Sequence, residues 1–193
     1  MYKIPADLKA SILEIPQKEK DKLLLRLLAK DELLCEKLRF EYLEEKSTLE
    51  FRREELRKEC TDWINRLVRE KHLNKNYFAF KCINSNLATY IKITKDNYGE
   101  IDIMTDCLMI FFEKNKAIIN DHNYYNSYDF YNYLCTKLIQ ILKKIEKLHP
   151  DIQLDFHVKI NQLLSYAHQL GTKENAEYLN LKQEFEIDYS KVK

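Results

Sequence analysis

The sequence is short of the two residues that most often interrupt helices, with only two glycines and three prolines in 193 residues. This shortage argues against long loops between the secondary-structure elements. Leu, Ile, Lys and Glu dominate instead, and this composition is typical of helices joined by short turns. The sequence therefore predicts an all-α fold.

An excess of charge of one sign is also absent. The chain carries 32 basic and 31 acidic side chains, for a formal net charge of +1. Such a balance creates no long-range field that would attract nucleic acid or an anionic membrane. We therefore expect neither nucleic acid nor a membrane among its partners.

Two further absences bear on the compartment. The longest apolar run, residues 107–112, is far too short to cross a bilayer, and the first residues lack the apolar core of a signal peptide. No Cys-x-x-Cys pair occurs among the five cysteines, which read as reduced, mostly buried small hydrophobes. The sequence predicts a soluble cytoplasmic protein.

Apolar residues recur at intervals of three and four along most of the chain, as in amphipathic helices. The pattern predicts eight or nine antiparallel helices in a compact bundle or a short solenoid-like array of the HEAT or armadillo kind. Residues 1–193 would form a single helical domain. Within this domain, residues 1–73 and 77–188 are candidate sub-units, separated at a polar break predicted over Asn74–Asn76.

Several residues indicate helix boundaries. Pro5 and Pro16 suit a helix start and a helix end, and Ser47 with Glu50 fits a capping box. Gly171 is a candidate left-handed cap, after which a final helix would run through Phe185.

A charged face on the helix that begins near Ser47 includes Arg52, Arg53, Glu54, Arg57 and Lys58. Mixed charge of this kind on one side of a helix usually faces solvent. We expect a solvated face there.

The stretch Thr94–Ile103 surrounds Gly99 with acidic and amide side chains. As a helix-loop-helix calcium loop it would place Asp96 at position three but Thr105 at position twelve, where a bidentate carboxylate is required. We therefore expect a corner between two helices, with Gly99 supplying a positive φ and Asp102 favouring the start of the second helix.

Four segments together resemble a bacterial all-helical protein family of unknown function. They are Ile4–Lys9, Glu19–Asp31, Ile93–Glu100 and Glu146–His149. The resemblance implies an all-helical fold and no established site residues, and some members of that family carry a nucleotide-hydrolase label.

Because of that label, we searched the sequence for the paired carboxylates that bind magnesium in helical nucleotide hydrolases. All-α nucleoside triphosphate pyrophosphatases bind magnesium with an E-x-x-E pair on one helix and an E-x-x-D pair on the next. This chain has Glu41 with Glu44, and Glu59 with Asp62, and a spacing of three places each pair on one helical face. The alternative explanation is chance within a glutamate-rich segment.

Three weaker patterns also occur in the sequence. Arg66 and His72 fit the loose R-x(4-6)-H pattern of a helical ribonuclease superfamily. His149, Asp151, Asp155 and His157 could be metal ligands, although capping of a helix by Asp151 explains them more simply. A tyrosine-rich segment, residues 124–133, mixes the expected core positions Tyr128 and Tyr131 with side chains suited to protein contacts.

The leading hypothesis is a non-enzymatic cytoplasmic helical protein that binds another protein or itself, without a cofactor. The alternative is a magnesium-dependent nucleoside triphosphate pyrophosphatase that uses Glu41, Glu44, Glu59 and Asp62.

Overall fold

The computed structural model describes residues 3–45, 47–68, 73–120 and 124–189. These residues form nine helices and no strand, which confirms the all-α class. None of the described helices is long and apolar enough to cross a membrane. The helices are α1 (Ala6–Glu14), α2 (Gln17–Leu28), α3 (Glu32–Tyr42), α4 (Ser47–Val68), α5 (Leu73–Thr94), α6 (Asn97–Asn120), α7 (Tyr124–Ile145), α8 (Pro150–Gln169) and α9 (Lys173–Tyr178).

The chain divides into two compact units between Lys46 and Ser47. Helices α1 to α3 belong to the first unit and α4 to α9 to the second. The division precedes α4, whereas the sub-units 1–73 and 77–188 suggested by the sequence would separate after it.

The first helix begins and ends at the prolines that the sequence indicates. Pro5 and Pro16 immediately precede α1 and α2. The carboxylate of Asp31 caps α3 by accepting a hydrogen bond from the Leu34 amide at 3.0 Å. None of the residues in these three helices is buried.

Helix α6 is the central helix of the second unit, as the apolar residues on all its sides predict. It contacts α4, α5, α7 and α8. Its fully or almost fully buried side chains include Ile101, Ile103, Leu108, Phe111 and Phe112. Because neighbours cover several faces of this helix, it organises the apolar core of the unit.

The five cysteines are all free. Cys60, Cys107 and Cys135 are buried, and Cys82 is partly buried. Burial raises the pKa of the Cys135 thiol to about 12. Cys35 departs from the expected burial and is exposed.

Two helix boundaries expected from the sequence are wrong. The predicted polar break at Asn74–Asn76 lies within α5, and Asn76 is fully buried. The predicted final helix ends at Tyr178, well before Phe185. Predictions from local polarity and apolar spacing fail at these boundaries because tertiary contacts determine where the helices begin and end.

The early end of α9 has a local cause. Asn180 adopts a left-handed conformation with φ of 51°. Its amide donates to the Glu177 carbonyl at 3.1 Å, and the Leu181 amide donates to the Ala176 carbonyl at 2.9 Å. These two bonds form a Schellman motif, which ends a helix and turns the chain away from its axis.

The segment after α9 returns to the core without forming a helix. Leu181 and Phe185 are buried. The side chain of Asn161 on α8 bonds both backbone groups of Phe185, accepting from its amide at 2.7 Å and donating to its carbonyl at 3.1 Å. These bonds satisfy backbone groups that a helix would otherwise have paired.

Both glycines occur where the chain is crowded. Neither has a positive φ, so the left-handed cap expected at Gly171 and the positive φ expected at Gly99 are wrong. At Gly171 a Cβ atom would lie 2.0 Å from the backbone oxygen of Ile119. Close approach of two backbone segments explains this glycine.

We expect Gly171→Ala to lower the free energy of unfolding by about 3 kcal/mol, because a backbone carbonyl must move to admit the methyl group. Urea denaturation measures this loss. Gln169→Ala, at an exposed position two residues earlier, serves as the control and should change stability by less than about 0.5 kcal/mol. Equal stabilities of the two variants would contradict the crowding explanation.

Candidate functional site

The first pair of predicted magnesium ligands does not share a helical face. Glu41 lies in the last turn of α3, which ends at Tyr42. Glu44 follows the helix end, so a spacing of three does not place the two carboxylates one helical turn apart. This arrangement differs from the one that the sequence pattern predicts.

The second pair lies on one helix. Glu59 and Asp62 both belong to α4, in the second unit. Glu59 accepts a hydrogen bond from Asn86 Nδ2 of α5 at 3.1 Å. Within neither unit do the described residues bring together three or more His, Cys, Asp or Glu side chains that could hold a metal ion. The magnesium site stays a prediction from the sequence.

The candidate metal ligands around His149 form hydrogen bonds within the protein. His149 precedes α8 and caps it, because its Nδ1 accepts a hydrogen bond from the Asp151 amide at 3.4 Å. The sequence suggested Asp151 as the cap of this helix, but the residue that caps it is His149. Asp155 accepts a hydrogen bond from the Tyr98 hydroxyl at 3.3 Å.

The ribonuclease-like pair cannot be compared with the structure as a pair. Arg66 lies in the last turn of α4. His72 lies outside the described residues.

The described aromatic side chains between residues 124 and 133 lie mainly in the core. Phe130 and Tyr131 are buried, and the partly buried Tyr133 hydroxyl donates to a backbone carbonyl of α5 at 3.1 Å. Tyr128, expected in the core, is 39% exposed. The side chains of Tyr124 and Tyr125 lie outside the described residues. This segment provides packing more than a contact surface.

The charged face of α4 is not fully solvated, contrary to expectation. The side chains of Arg53 and Arg57 are only 15% and 22% exposed. Both form ion pairs with acids more than forty residues away in the sequence. Sequence patterns within α4 contain no signal for these partners.

Asp96 is the acceptor at the centre of the first cluster. Its carboxylate is 5% exposed and accepts hydrogen bonds from Arg53 Nε at 2.9 Å and the Tyr90 hydroxyl at 2.6 Å. It also accepts from the Gly99 amide at 3.0 Å, in the first turn of α6. One carboxylate thereby joins α4, α5 and α6 and caps α6.

The protonation of Asp96 follows from these contacts. Burial alone would raise the pKa of its carboxyl, but hydrogen bonds from Tyr90, Arg53 and the Gly99 amide outweigh burial and lower it. Burial and the bond to Asp96 raise the pKa of Tyr90. The carboxylate that a calcium loop would use is therefore committed to contacts within the protein.

Gly99 is required by the same cluster. A Cβ atom at this position would lie 2.2 Å from Asp96 Oδ2 and 2.8 Å from Arg53 Nε. The positive φ at this corner belongs to Lys95, at 59°. The predicted corner between two helices is observed, although Gly99 serves close approach rather than chain reversal.

A second cluster of charges connects α4, α6 and α8. Arg57 donates to Asp102 and Asp106, which lie one turn apart on α6. Lys159 Nζ of α8 donates to Asp106 Oδ1 at 2.7 Å and lies 3.7 Å from Asp102 Oδ1. Two cations alternate with two carboxylates, so the cluster compensates its own charge and holds three helices together.

A small cleft lies between α5, α6 and α7. Lys137 donates to Asn84 Oδ1 and Lys144 donates to Glu100 Oε1, both at 2.5 Å. Burial and the charge of Lys144 lower the pKa of Lys137. Because both amino groups are held by neighbouring side chains, the cleft leaves little recognition chemistry for a ligand.

The largest departure from ordinary packing is in the first unit. Large apolar side chains that are 37% to 80% exposed recur along its whole length. We name this set the N-terminal apolar surface. It comprises Ile4, Leu8, Ile12, Leu13, Leu24, Leu25, Leu27, Tyr42 and Leu43.

We expect Asp96→Asn to lower the free energy of unfolding at neutral pH by about 3 kcal/mol, because Arg53 loses its charged partner. The folded-state pKa of Asp96 lies below the ordinary value of an aspartate carboxyl, so its contribution to stability is present above that ordinary value and is lost as the pH falls through the folded pKa. In urea denaturation between about pH 7 and pH 2, the free energy of unfolding of the variant should fall less with decreasing pH than that of the unaltered chain. The exposed Asp151→Asn is the control, and parallel pH profiles for Asp96→Asn and the unaltered chain would contradict the assignment.

Comparisons of this chain with models of known protein families, with curated proteins and with solved structures found no match.

Proposed function

We propose that this chain is a non-enzymatic protein-interaction module that binds through the N-terminal apolar surface. One observation carries the proposal: no residue of α1, α2 or α3 is buried, while large apolar side chains are exposed along the unit. Contiguous exposed apolar surface on a protein commonly marks a site of association.

The energetics favour a covered state of this surface. Full burial of a leucine or isoleucine side chain stabilises by about 1.5 to 3 kcal/mol relative to full exposure. Leu24 and Leu27 are 50% and 53% exposed, and Leu13 and Leu25 are 66% and 65% exposed. Covering several such side chains would offset the entropic cost of association, which is commonly above about 4 kcal/mol.

The second unit satisfies its apolar residues differently. It contains a continuous apolar core in which Phe80, Phe111, Phe130 and Phe156 are at most 2% exposed. Its charged clusters are compensated within the unit. This contrast supports a division in which the second unit provides stability and the first unit provides binding.

The proposed setting is the cytoplasm, with protein rather than nucleic acid as the partner. Five free cysteines support a reducing compartment. A formal net charge of only +1 supports a partner that is not a highly charged polymer such as nucleic acid. Apolar contacts would supply most of the affinity.

We expect the double variant Leu24→Gln with Leu27→Gln to weaken protein binding by at least about tenfold, because apolar contact area is lost from the C-terminal half of α2. Its helical content should stay unchanged, since both side chains are exposed. Binding is measured by sedimentation velocity of the purified chain, and by quantitative cross-linking of the tagged chain in an extract of its source cells.

The matched control is Leu154→Gln with Val158→Gln, two apolar residues on α8 that are 52% and 74% exposed. This variant should bind as the unaltered chain does. Binding that survives the α2 substitutions, or that depends equally on the α8 substitutions, would contradict the proposal.

Nucleotide hydrolysis has a separate test. As a non-enzymatic protein, the chain should show no thermal shift with a nucleoside triphosphate and magnesium beyond that with magnesium alone. A nucleotide-dependent shift that disappears in Glu44→Ala with Asp62→Ala, together with triphosphate cleavage, would overturn the non-enzymatic assignment and support the pyrophosphatase.

A further inference from the structure

We propose that Cys60 and Cys107 are a modification site in the core of the second unit, where they form a reversible disulfide bond between α4 and α6 under oxidising conditions. Two helices that run side by side each contribute one buried cysteine at the same level. The site is independent of the proposed binding function, because it lies outside the N-terminal apolar surface.

Polar contacts along α4 and α6 define how the two helices are aligned. Arg57 of α4 donates to Asp106 of α6, and farther along both helices Lys114 Nζ of α6 donates to Asn65 Oδ1 of α4 at 2.5 Å. Both contacts join residues that are 49 positions apart in the sequence. The two helices therefore run in the same direction with a constant register.

The two cysteines lie between these contacts. Cys60 follows Arg57 by about one helical turn, and Cys107 precedes Lys114 by about two turns, so each cysteine shares a side of its helix with a residue that contacts the other helix. The register of α4 and α6 therefore places Cys60 opposite Cys107.

The environment of the two thiols agrees with this placement. Both cysteines are 0% exposed and belong to the same apolar core. Hydrogen bonding with the Cys60 side chain, together with burial, raises the pKa of the Cys107 thiol. Facing thiols in such contact can approach the S–S bond length of about 2.0 Å through small rotations of their side chains.

The other three cysteines are placed differently. Cys35 is exposed in the first unit, and Cys82 is partly buried on α5. Cys135 of α7 is buried, and its Sγ donates to the Thr172 carbonyl at 3.8 Å. The core arrangement therefore favours one pair among the five cysteines.

The oxidant is a small-molecule disulfide such as oxidised glutathione. The thiolate of one cysteine attacks a sulfur of this oxidant, so that a mixed disulfide forms and one glutathione thiolate leaves. The thiolate of the second cysteine attacks the sulfur of the first, which forms the bond between the helices and releases the second glutathione. Two cysteine thiols are oxidised, one oxidant molecule is reduced to two thiols, and the two protons pass to the released thiolates.

Burial controls the rate of this exchange. Glutathione reaches fully buried thiols only before the chain has folded or when the core opens locally. The disulfide therefore forms slowly in the folded chain and is slow to be reduced again. It closes a loop that contains all of α5, and closing a long loop restrains the unfolded chain and stabilises the oxidised protein.

The experiment refolds the full-length chain carrying Cys35→Ser, which prevents the exposed cysteine from joining two molecules. The reduced, unfolded chain is refolded over a series of ratios of oxidised to reduced glutathione, free thiols are alkylated, and peptide mass spectrometry locates the disulfides. The bond between Cys60 and Cys107 should exceed any other pairing within the chain by at least about tenfold. Dithiothreitol should remove it after partial unfolding in urea.

The stability of the oxidised chain is the second measurement. It should unfold at a higher urea concentration than the reduced chain, because the bond restrains the unfolded state. Cys107→Ala in the same background should lose both the disulfide and this gain. The matched control Cys135→Ala, at another buried cysteine, should keep both.

Three results would overturn the disulfide: Cys60 and Cys107 recovered as thiols at every glutathione ratio, either of them joined instead to Cys82 or Cys135, or an oxidised chain no more stable than the reduced one. Circular dichroism shows whether the alanine variants fold. If one does not, the peptide map and the urea denaturation of the Cys35→Ser chain decide alone, since neither requires a substitution in the core.

Discussion

The buried carboxylate of Asp96 is the constraint around which the second unit is arranged. A charged group at this depth is stable only when nearby donors satisfy it, and the donors come from α4, α5 and the first turn of α6. Their positions determine where α5 ends, where α6 begins, and which side of α4 faces α6. The cluster of Arg57, Asp102, Asp106 and Lys159 extends this arrangement to α8.

The sequence predicted the helices well because helix formation is largely local. Apolar spacing indicated most of the helices, Pro5 marked the start of α1, and Pro16 marked its end. The misassigned features depend on distant contacts. Gly99 and Gly171 are glycines because side-chain or backbone atoms from elsewhere come close to them. The burial of Arg53 depends likewise on an acid 43 residues away.

The candidate site was harder to predict than the fold. The spacing of Glu41 and Glu44 indicates a shared helical face only if α3 continues, and it ends at Tyr42. The leucines of α2 recur at helical intervals, but the sequence cannot show whether the chain itself buries them. Their exposure became apparent from the structure, and it directs the functional proposal to the first unit.

The two units therefore differ in how they satisfy their side chains. The second unit contains its own core and compensates its clustered charges, while the first exposes large apolar side chains. The most direct measurement is amide hydrogen exchange in α2 and α3, compared between the dilute chain alone and its complex with a binding partner. The account predicts that protection of these helices rises in the complex while protection of α6 stays constant. Equal protection of α2 and α3 in the two states would contradict it.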